Sequence, residues 1–364
     1  MTFVPPFIIM RWKFLGLPQS AVNPSSRFSQ QMSELRKDPI VDRWVIFSPE
    51  RKLRPNDFQS IEREYSDPPA CPFCAGNEKT TPPEILAFRP AGSSANASGW
   101  TLRVVPNKYP ALRREDVTHP AGDEWQRKIN AIGSHEIIIE TPHHKVETHQ
   151  LSLEQITHLL QAFQMRIREL KKNIYIEYIL LFKNHGEAAG ATREHSHWQL
   201  TALPLVPASV REKITASERY FASHDECIYC QLAESEGREK HRQVIGNSHF
   251  ICICPYASRF PFEMLLLPKF HPRRYEDCDL ETITALAAIL KEALARMQAT
   301  LKKPAFNLIL HTAPVRTKHD GHWHLEIIPR STTLAGFELG TGHHINPTLP
   351  EDAAATLRDI GNPL

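Results

Sequence analysis

One arrangement of cysteines and histidines occurs twice in this chain at matching intervals, and that duplication limits the folds open to it. His144 to His195 spans 51 residues, and so does His271 to His322. Glu136 to His144 spans 8, as does Glu263 to His271. The His-x-His pairs His195/His197 and His322/His324 fall 127 apart, and a Cys-x-x-Cys precedes each copy, Cys71/Cys74 and Cys227/Cys230. A single His-x-His is weak evidence, because strand histidines often alternate that way. A whole set in register reads as two copies of one domain. Length agrees: 364 residues, at roughly 150 per domain, give two.

The element pattern repeats as well. In an extended segment side chains two apart share a face, so His195, His197 and Gln199 point the same way. This segment follows a β-type run at 176–182 and a glycine-bearing turn at 184–191. Upstream, residues 43–47, 102–105 and 135–140 read as strands. Ser152 and Gln155 make a capping box for a helix. Its apolar stripe, Leu153, Ile156, Leu160, Phe163, Ile167 and Leu170, is core, leaving His149 and His158 exposed and idle. Residues 203–207 stop the His-x-His strand, and the domain boundary falls near 207. Beyond it come a polar helix-like run, strands at 250–254 and 262–267, a helix capped by Asp279, and a strand at 306–310. The expected fold class is α+β: two tandem domains, 32–207 and 208–364, each an antiparallel sheet with one long helix packed on it. Residues 1–31, without Asp or Glu and with Pro5-Pro6 interrupting their apolar part, read as a disordered tail or an extension ahead of a natural start at Met32, not as a signal peptide.

Bulk properties exclude some functions. A formal net charge of +2 gives no bias toward nucleic acid or a membrane surface. No apolar run approaches the roughly 20 residues of a membrane span. Four of the seven cysteines lie in Cys-x-x-Cys pairs with histidines downstream, which reads as thiolate metal sites in a reducing, cytoplasmic compartment. Cys252, Cys254 and Cys278 read as buried or idle thiols.

Each half offers two cysteines and two histidines: Cys71, Cys74, His144, His195 and Cys227, Cys230, His271, His322. Zinc favours four such ligands in a closed tetrahedron, so two structural zinc sites are expected. Redox dithiols would leave the histidines unexplained. A paired zinc module for nucleic acid is the non-enzymatic alternative, but the basic stripe it needs is missing.

With His195 and His322 assigned to metal, His197 and His324 remain. Two residues after His197 stands Gln199, whose amide N–H can donate to a phosphoryl oxygen. Two residues after His324 stands Glu326, an anion that repels phosphate. The first half also has Asn184, Gly186 and Gly190, where backbone can approach phosphate; at the position of Gly190 the second half has Thr317. The first half is therefore expected to be reactive, with His197 attacking as neutral imidazole. Arg51 and Arg54 could reach phosphates, but taken alone they fit a solvated basic patch better. Asn107 could bond a ribose or form a turn.

These residues resemble a known family. Arg36-x-x-Pro39, Trp44-Val45, Ser48-Pro49, the Cys71 pair, Pro110-Ala111-Leu112, Asn184-x-Gly186, Gly190-Ala191 and His195-x-His197-x-Gln199 look like galactose-1-phosphate uridylyltransferase, a family of the histidine-triad superfamily. The resemblance covers about residues 35–360. It implies two histidine-triad-like domains, usually paired as a homodimer, and UDP-glucose:hexose-1-phosphate uridylyl transfer by a ping-pong route through a nucleotidyl-His197. It implies that Gln199 steadies the phosphoryl group and that Asn107, Asn184, Gly190, Ala191 and Thr192 line the nucleotide side. The substrates implied are a nucleotide sugar and either hexose 1-phosphate or inorganic phosphate. Three places depart from the sugar-specific pattern: Ser196 between the histidines, Lys108-Tyr109 after Asn107, and the segment 336–342, where Gly336 and Phe337 stand in a substrate-binding position. These look more like the ADP-glucose phosphorylase branch of the same family, which transfers an adenylyl group from ADP-glucose to phosphate.

Overall fold

The computed structural model describes residues 33–53, 71–113, 122–123, 125–126, 128–317 and 321–363; the segment 1–31 and Arg54 lie outside them. In chain order the first half contributes β1 (Glu34–Lys37), β2 (Trp44–Phe47), β3 (Leu86–Phe88), β4 (Leu102–Pro106), β5 (Ser134–Ile139), α1 (Leu153–Leu170), β6 (Tyr178–His185) and β7 (His197–Leu203). The second half follows with α2 (Ala208–His224), α3 (Ile228–Glu239), β8 (Gln243–Gly246), β9 (Phe250–Ile253), β10 (Met264–Pro268), α4 (Leu280–Leu301), β11 (Phe306–His311) and β12 (His324–Pro329). The chain closes with α5 (Gly336–Thr341), β13 (His344–Asn346) and α6 (Pro350–Asp359).

Local signals account for the long helices. Ser152 Oγ accepts from the Gln155 N–H while the Gln155 side chain returns to the Ser152 N–H, the reciprocal box that satisfies two free donors. At the matching place Asp279 caps α4 by accepting from Thr282 N–H. The α1 stripe is buried from Ile156 onward, but Leu153 is exposed, correcting its place in the core: it opens the first turn, before the helix meets the sheet. His149 and His158 are half-buried, not exposed. His158 stacks on Phe88 with centroids 4.8 Å apart.

Among the described residues ten strands form one antiparallel sheet in the order β3-β4-β5-β7-β6-β11-β12-β10-β9-β8. Read from the middle outward, the order is the same in both directions: β6 matches β11, β7 matches β12, β5 matches β10. The α+β fold with internal duplication is therefore present, and the two halves share a sheet. The seam is the β6–β11 pair, with Asn184 opposite Asn307 and Lys183 opposite Leu308. One continuous core also serves both halves, joining Ile156, Phe163 and Ile167 of α1 with Ile283, Leu290 and Leu294 of α4 against one face of the sheet. A separate three-stranded sheet, β1-β2-β13, ties the start of the described chain to its end.

Alternation sorts β7. Trp198, Leu200 and Ala202 enter the helix-side core, which turns His197 and Gln199 to the opposite face. Behind them lies a buried ion pair: Lys183 and Glu140, each 1 % exposed, with Nζ to Oε1 at 2.6 Å. Thr148 Oγ1 and Ser196 Oγ donate to Glu140 at 2.9 and 2.8 Å, and Lys183 donates to Thr148. With every partner hydrogen-bonded the pair is tolerated. Removing one member strands the other charge, a loss of about 3–5 kcal/mol.

Candidate active site

The Cys71–Cys74 turn covers the site face of the first half-sheet, packing Phe73 with Trp100, Val105, Ile137 and Ile139. It brings Cys74 Sγ to 3.4 Å from His144 Nδ1 and 3.5 Å from His195 Nδ1, with Cys71 Sγ 3.6 Å from His195 Nδ1. Zinc–sulfur and zinc–nitrogen bonds at the tetrahedral angle would place S and N roughly 3.6 Å apart, so these four groups could hold such an ion. Both rings already have the correct nitrogen free. His195 Nε2–H donates to the Thr141 carbonyl at 2.7 Å, and His144 Nε2 faces Glu194 at 3.4 Å, the outer contacts that orient metal-binding imidazoles. Burial lowers the His195 pKa to about 4, keeping the ring neutral.

The second half repeats the set. Cys230 Sγ lies 3.4 Å from His271 Nδ1 and 3.5 Å from His322 Nδ1, and His322 Nε2–H donates to Pro268 O at 3.2 Å. Here Cys227 caps α3 and Cys230 lies in its first turn, so a helix replaces the turn of the first half. A third group, His311, His324 and Glu326, is also close-packed. It does not fit a cation, because Lys213 Nζ already lies 2.6 Å from Glu326 Oε1 and 3.4 Å from His311 Nε2. Arg259 holds the other carboxylate oxygen at 2.8 Å.

His197 Nδ1–H donates to the His195 carbonyl at 2.7 Å, which leaves the lone pair on Nε2. Burial holds this imidazole below its ordinary pKa, and the charges of Lys183 and Arg193 push the same way against the raising pull of the carbonyl bond. Phe73 packs on the ring with centroids 5.2 Å apart. The ring lines a cleft together with Asn107, Lys108, Thr192, Arg193 and Gln199. Among the described lining residues there are two cations and no carboxylate, the balance an anionic ligand requires.

In the second half the equivalent ring is equally buried and lines a cleft with Lys213, Arg259 and the carboxylates Glu263 and Glu326. His324 donates to the His322 carbonyl at 3.1 Å, as His197 does to His195. It is stacked between Tyr229 and His311, each 4.8 Å away, and has Glu326 two residues on.

Comparison with known proteins places this geometry. The family models described as galactose-1-phosphate uridyl transferase, N-terminal domain and C-terminal domain, match residues 25–207 and 213–362. The chain belongs to the galactose-1-phosphate uridyl transferase family. It is a nucleotidyltransferase. An ADP-glucose phosphorylase of Arabidopsis thaliana is 37% identical over 338 residues, 91% of this chain and 93% of that protein. A galactose-1-phosphate uridylyltransferase of Thermotoga maritima is 29% identical over 90% of this chain and 98% of that one. The crystal structure of an Arabidopsis ADP-glucose phosphorylase with bound ADP-glucose superposes with a TM-score of 0.78 at 36% identity, covering 90% of this chain and 99% of the other.

Several residues singled out in this transferase lie elsewhere than at the cleft. Arg51 is exposed on the short turn Pro49–Leu53 and does not line it. Asn184 Oδ1 accepts from Asn307 across the seam at 2.9 Å. Gly190 ends the turn Glu187–Ala189 in the left-handed conformation, and Ala191 N–H closes that loop on Gly186 O at 3.2 Å. Gly186 itself, at φ +79°, has no room for a side chain, since a Cβ would meet that of Ala305 at 2.7 Å. Of this loop, Thr192 and Arg193 reach the cleft. Gly336 and Phe337 begin α5 beside the small sheet, with Phe337 exposed. Asn107 is both turn former and cleft residue, its Oδ1 accepting from Tyr109 N–H at 2.9 Å. Sequence reasoning gave no site role to Lys108, Arg193, Phe73 and His135. A cation beside each of two chosen residues, Asn107 and Thr192, was the available signal for the first two.

Proposed function

We propose that this transferase is an ADP-glucose phosphorylase working through His197. The Nε2 lone pair attacks the adenylyl phosphorus of ADP-glucose. An N–P bond forms as the bond from that phosphorus to the bridging oxygen breaks, and glucose 1-phosphate leaves. Inorganic phosphate then attacks the same phosphorus, the N–P bond breaks, and ADP departs. Splitting the transfer is covalent catalysis, and fixed donors around the phosphoryl oxygens supply the charge stabilisation. The observation that carries the reading is the His197 ring, held by its Nδ1–H with the lone pair on Nε2, in a cleft lined among the described residues by Lys108 and Arg193 and no acid. The adenylyl assignment rests on the identity with the Arabidopsis phosphorylase and on Ser196, Lys108-Tyr109 and the 336–342 segment. Uridylyl transfer from UDP-glucose to a hexose 1-phosphate is the second reading, favoured by the Thermotoga relative.

Initial rates with ADP-glucose plus phosphate, and with UDP-glucose plus galactose 1-phosphate, separate the two. The expected result is a kcat/KM ratio of at least about 10²-fold toward ADP-glucose, since a site built for one set of base hydrogen bonds rejects another strongly. The reverse ratio would assign the chain to uridylyl transfer.

The two Cys₂His₂ sets would each hold a structural zinc ion that fixes the His-x-His strand, with no open position for water. Seven free cysteines and two thiolate sites suit a reducing compartment, the cytoplasm. Among the described residues no helix is long and apolar enough to cross a membrane. The two-domain division at residue 207 is retained for the chemistry: 32–207 reactive, 208–364 degenerate. A homodimer is also proposed, because Trp44, Phe337 and Leu339 are exposed on and beside the small sheet, a concentration of apolar surface that suits a partner. Sedimentation velocity is expected to give twice the chain mass of 41.6 kDa; a monomer at micromolar concentration would reject it.

A further inference from the structure

His135 is the second residue of β5 and pairs with Thr201, while Ile137 pairs with Gln199. His135 and Gln199 are therefore diagonal neighbours on the site face of the sheet, within reach of long side chains. The imidazole touches two groups that together fix its hydrogen. Ala111 N–H lies 3.2 Å from Nδ1. A backbone amide only donates, so Nδ1 carries the lone pair and Nε2 carries the hydrogen. That Nε2 lies 2.9 Å from Gln199 Oε1, so His135 donates to the carboxamide oxygen. Asn107 Nδ2 lies 3.2 Å from the same nitrogen; both are donors in this tautomer, which leaves the Asn107 amide hydrogens for a third group.

The two ends of the Gln199 amide are sterically alike and electrically opposite. Turned one way, its NH₂ presents hydrogens to whatever anion occupies the cleft; turned the other, it presents a partial negative charge. Nothing in Gln199 itself chooses between them. We infer that His135 is a positioning residue for the transfer at His197: by taking the Gln199 oxygen it keeps the NH₂ directed at the phosphoryl group, and it leaves Asn107 free to donate beside it. This rests on the nucleotidyl-transfer reading above. The second half lacks the arrangement, having Phe262 at the matching position and Glu326 in place of Gln199.

The test is the single-turnover rate of label transfer from adenylyl-labelled ADP-glucose to enzyme, without phosphate. His135→Phe is expected to slow labelling by about 30-fold or more, toward the loss typical of removing an oriented donor, through kcat with little change in KM. His135→Gln, whose amide N–H can still donate to Gln199, is expected to restore the rate to within about 5-fold of wild type. In a Gln199→Ala background His135→Phe should cost less than about 3-fold, because residues acting as one unit are not additive. Wild-type labelling by His135→Phe, or the same loss in both backgrounds, would overturn the inference. Should His135→Phe not fold, His135→Asn, too short to reach Gln199, is put through the same cycle with the same criteria. A wild-type enzyme labelled by UDP-glucose instead corrects only the base, and the cycle run with that donor decides the role of His135. Labelling by neither donor overturns both readings.

Discussion

Changing His197 to alanine is expected to lower turnover by at least about 10⁴-fold, the scale on which loss of a covalent nucleophile is felt. His324→Ala should leave kcat within about 5-fold of wild type and act chiefly on stability, through the cavity left by a buried ring. The two histidines occupy equivalent places and donate to equivalent carbonyls. Their surroundings separate them. Among the described residues the cleft at His197 is lined by two cations and no acid, whereas His324 is stacked between two rings beside Glu326, Lys213 and Arg259. Steady-state kinetics of the two variants, with acid-labile label on His197 as the second readout, checks the assignment. Comparable loss of kcat in both would contradict it.

The second large effect concerns metal. Elemental analysis is expected to find two zinc ions per chain, and removal of either should lower Tm by more than about 5 °C, since losing a structural metal belongs among the severe changes and each kcal/mol moves a chain of this size by about 1–2 °C. The two sites should differ in what else they do. Replacing Cys71 by serine releases His195, whose carbonyl holds the His197 Nδ1–H, so kcat should fall together with Tm. His271→Ala lies in the other half and should lower Tm while the folded fraction keeps its kcat. Differential scanning calorimetry and kinetics on the two variants separate these outcomes. Unchanged stability after complete chelation would remove the structural role, and an equal kcat loss from His271→Ala would remove the distinction between the sites.

Much of this was legible from spacing alone. The eight cysteines and histidines that the repeat selects are the residues that close into the two compact clusters, and period-two alternation from His195 to Gln199 turned His197 and Gln199 to one face. Ser152 and Asp279 marked their helix starts because capping is local chemistry. What could not be read is chosen by partners far away in the chain. The pattern of β6 or β11 names no neighbour, so the joining of two half-sheets through Asn184 and Asn307 was invisible. For the same reason the bond from Asn307 to Asn184 has no local signal. The small sheet pairs residues 45–47 with 344–346, and no local signal anticipates that. His135 had no spacing to recommend it. Its meaning comes from the β5–β7 register and from one backbone amide at Ala111.

The mirrored strand order has a consequence for what substitutions this molecule can accept. In an assembly of two identical polypeptides sharing such a sheet, every replacement would be made twice, and a residue harmful in one copy could not be kept for its benefit in the other. Here both halves are written in one chain, so position 199 can hold glutamine while its counterpart 326 holds glutamate. One side is thereby free to become scaffold while the other retains the reaction.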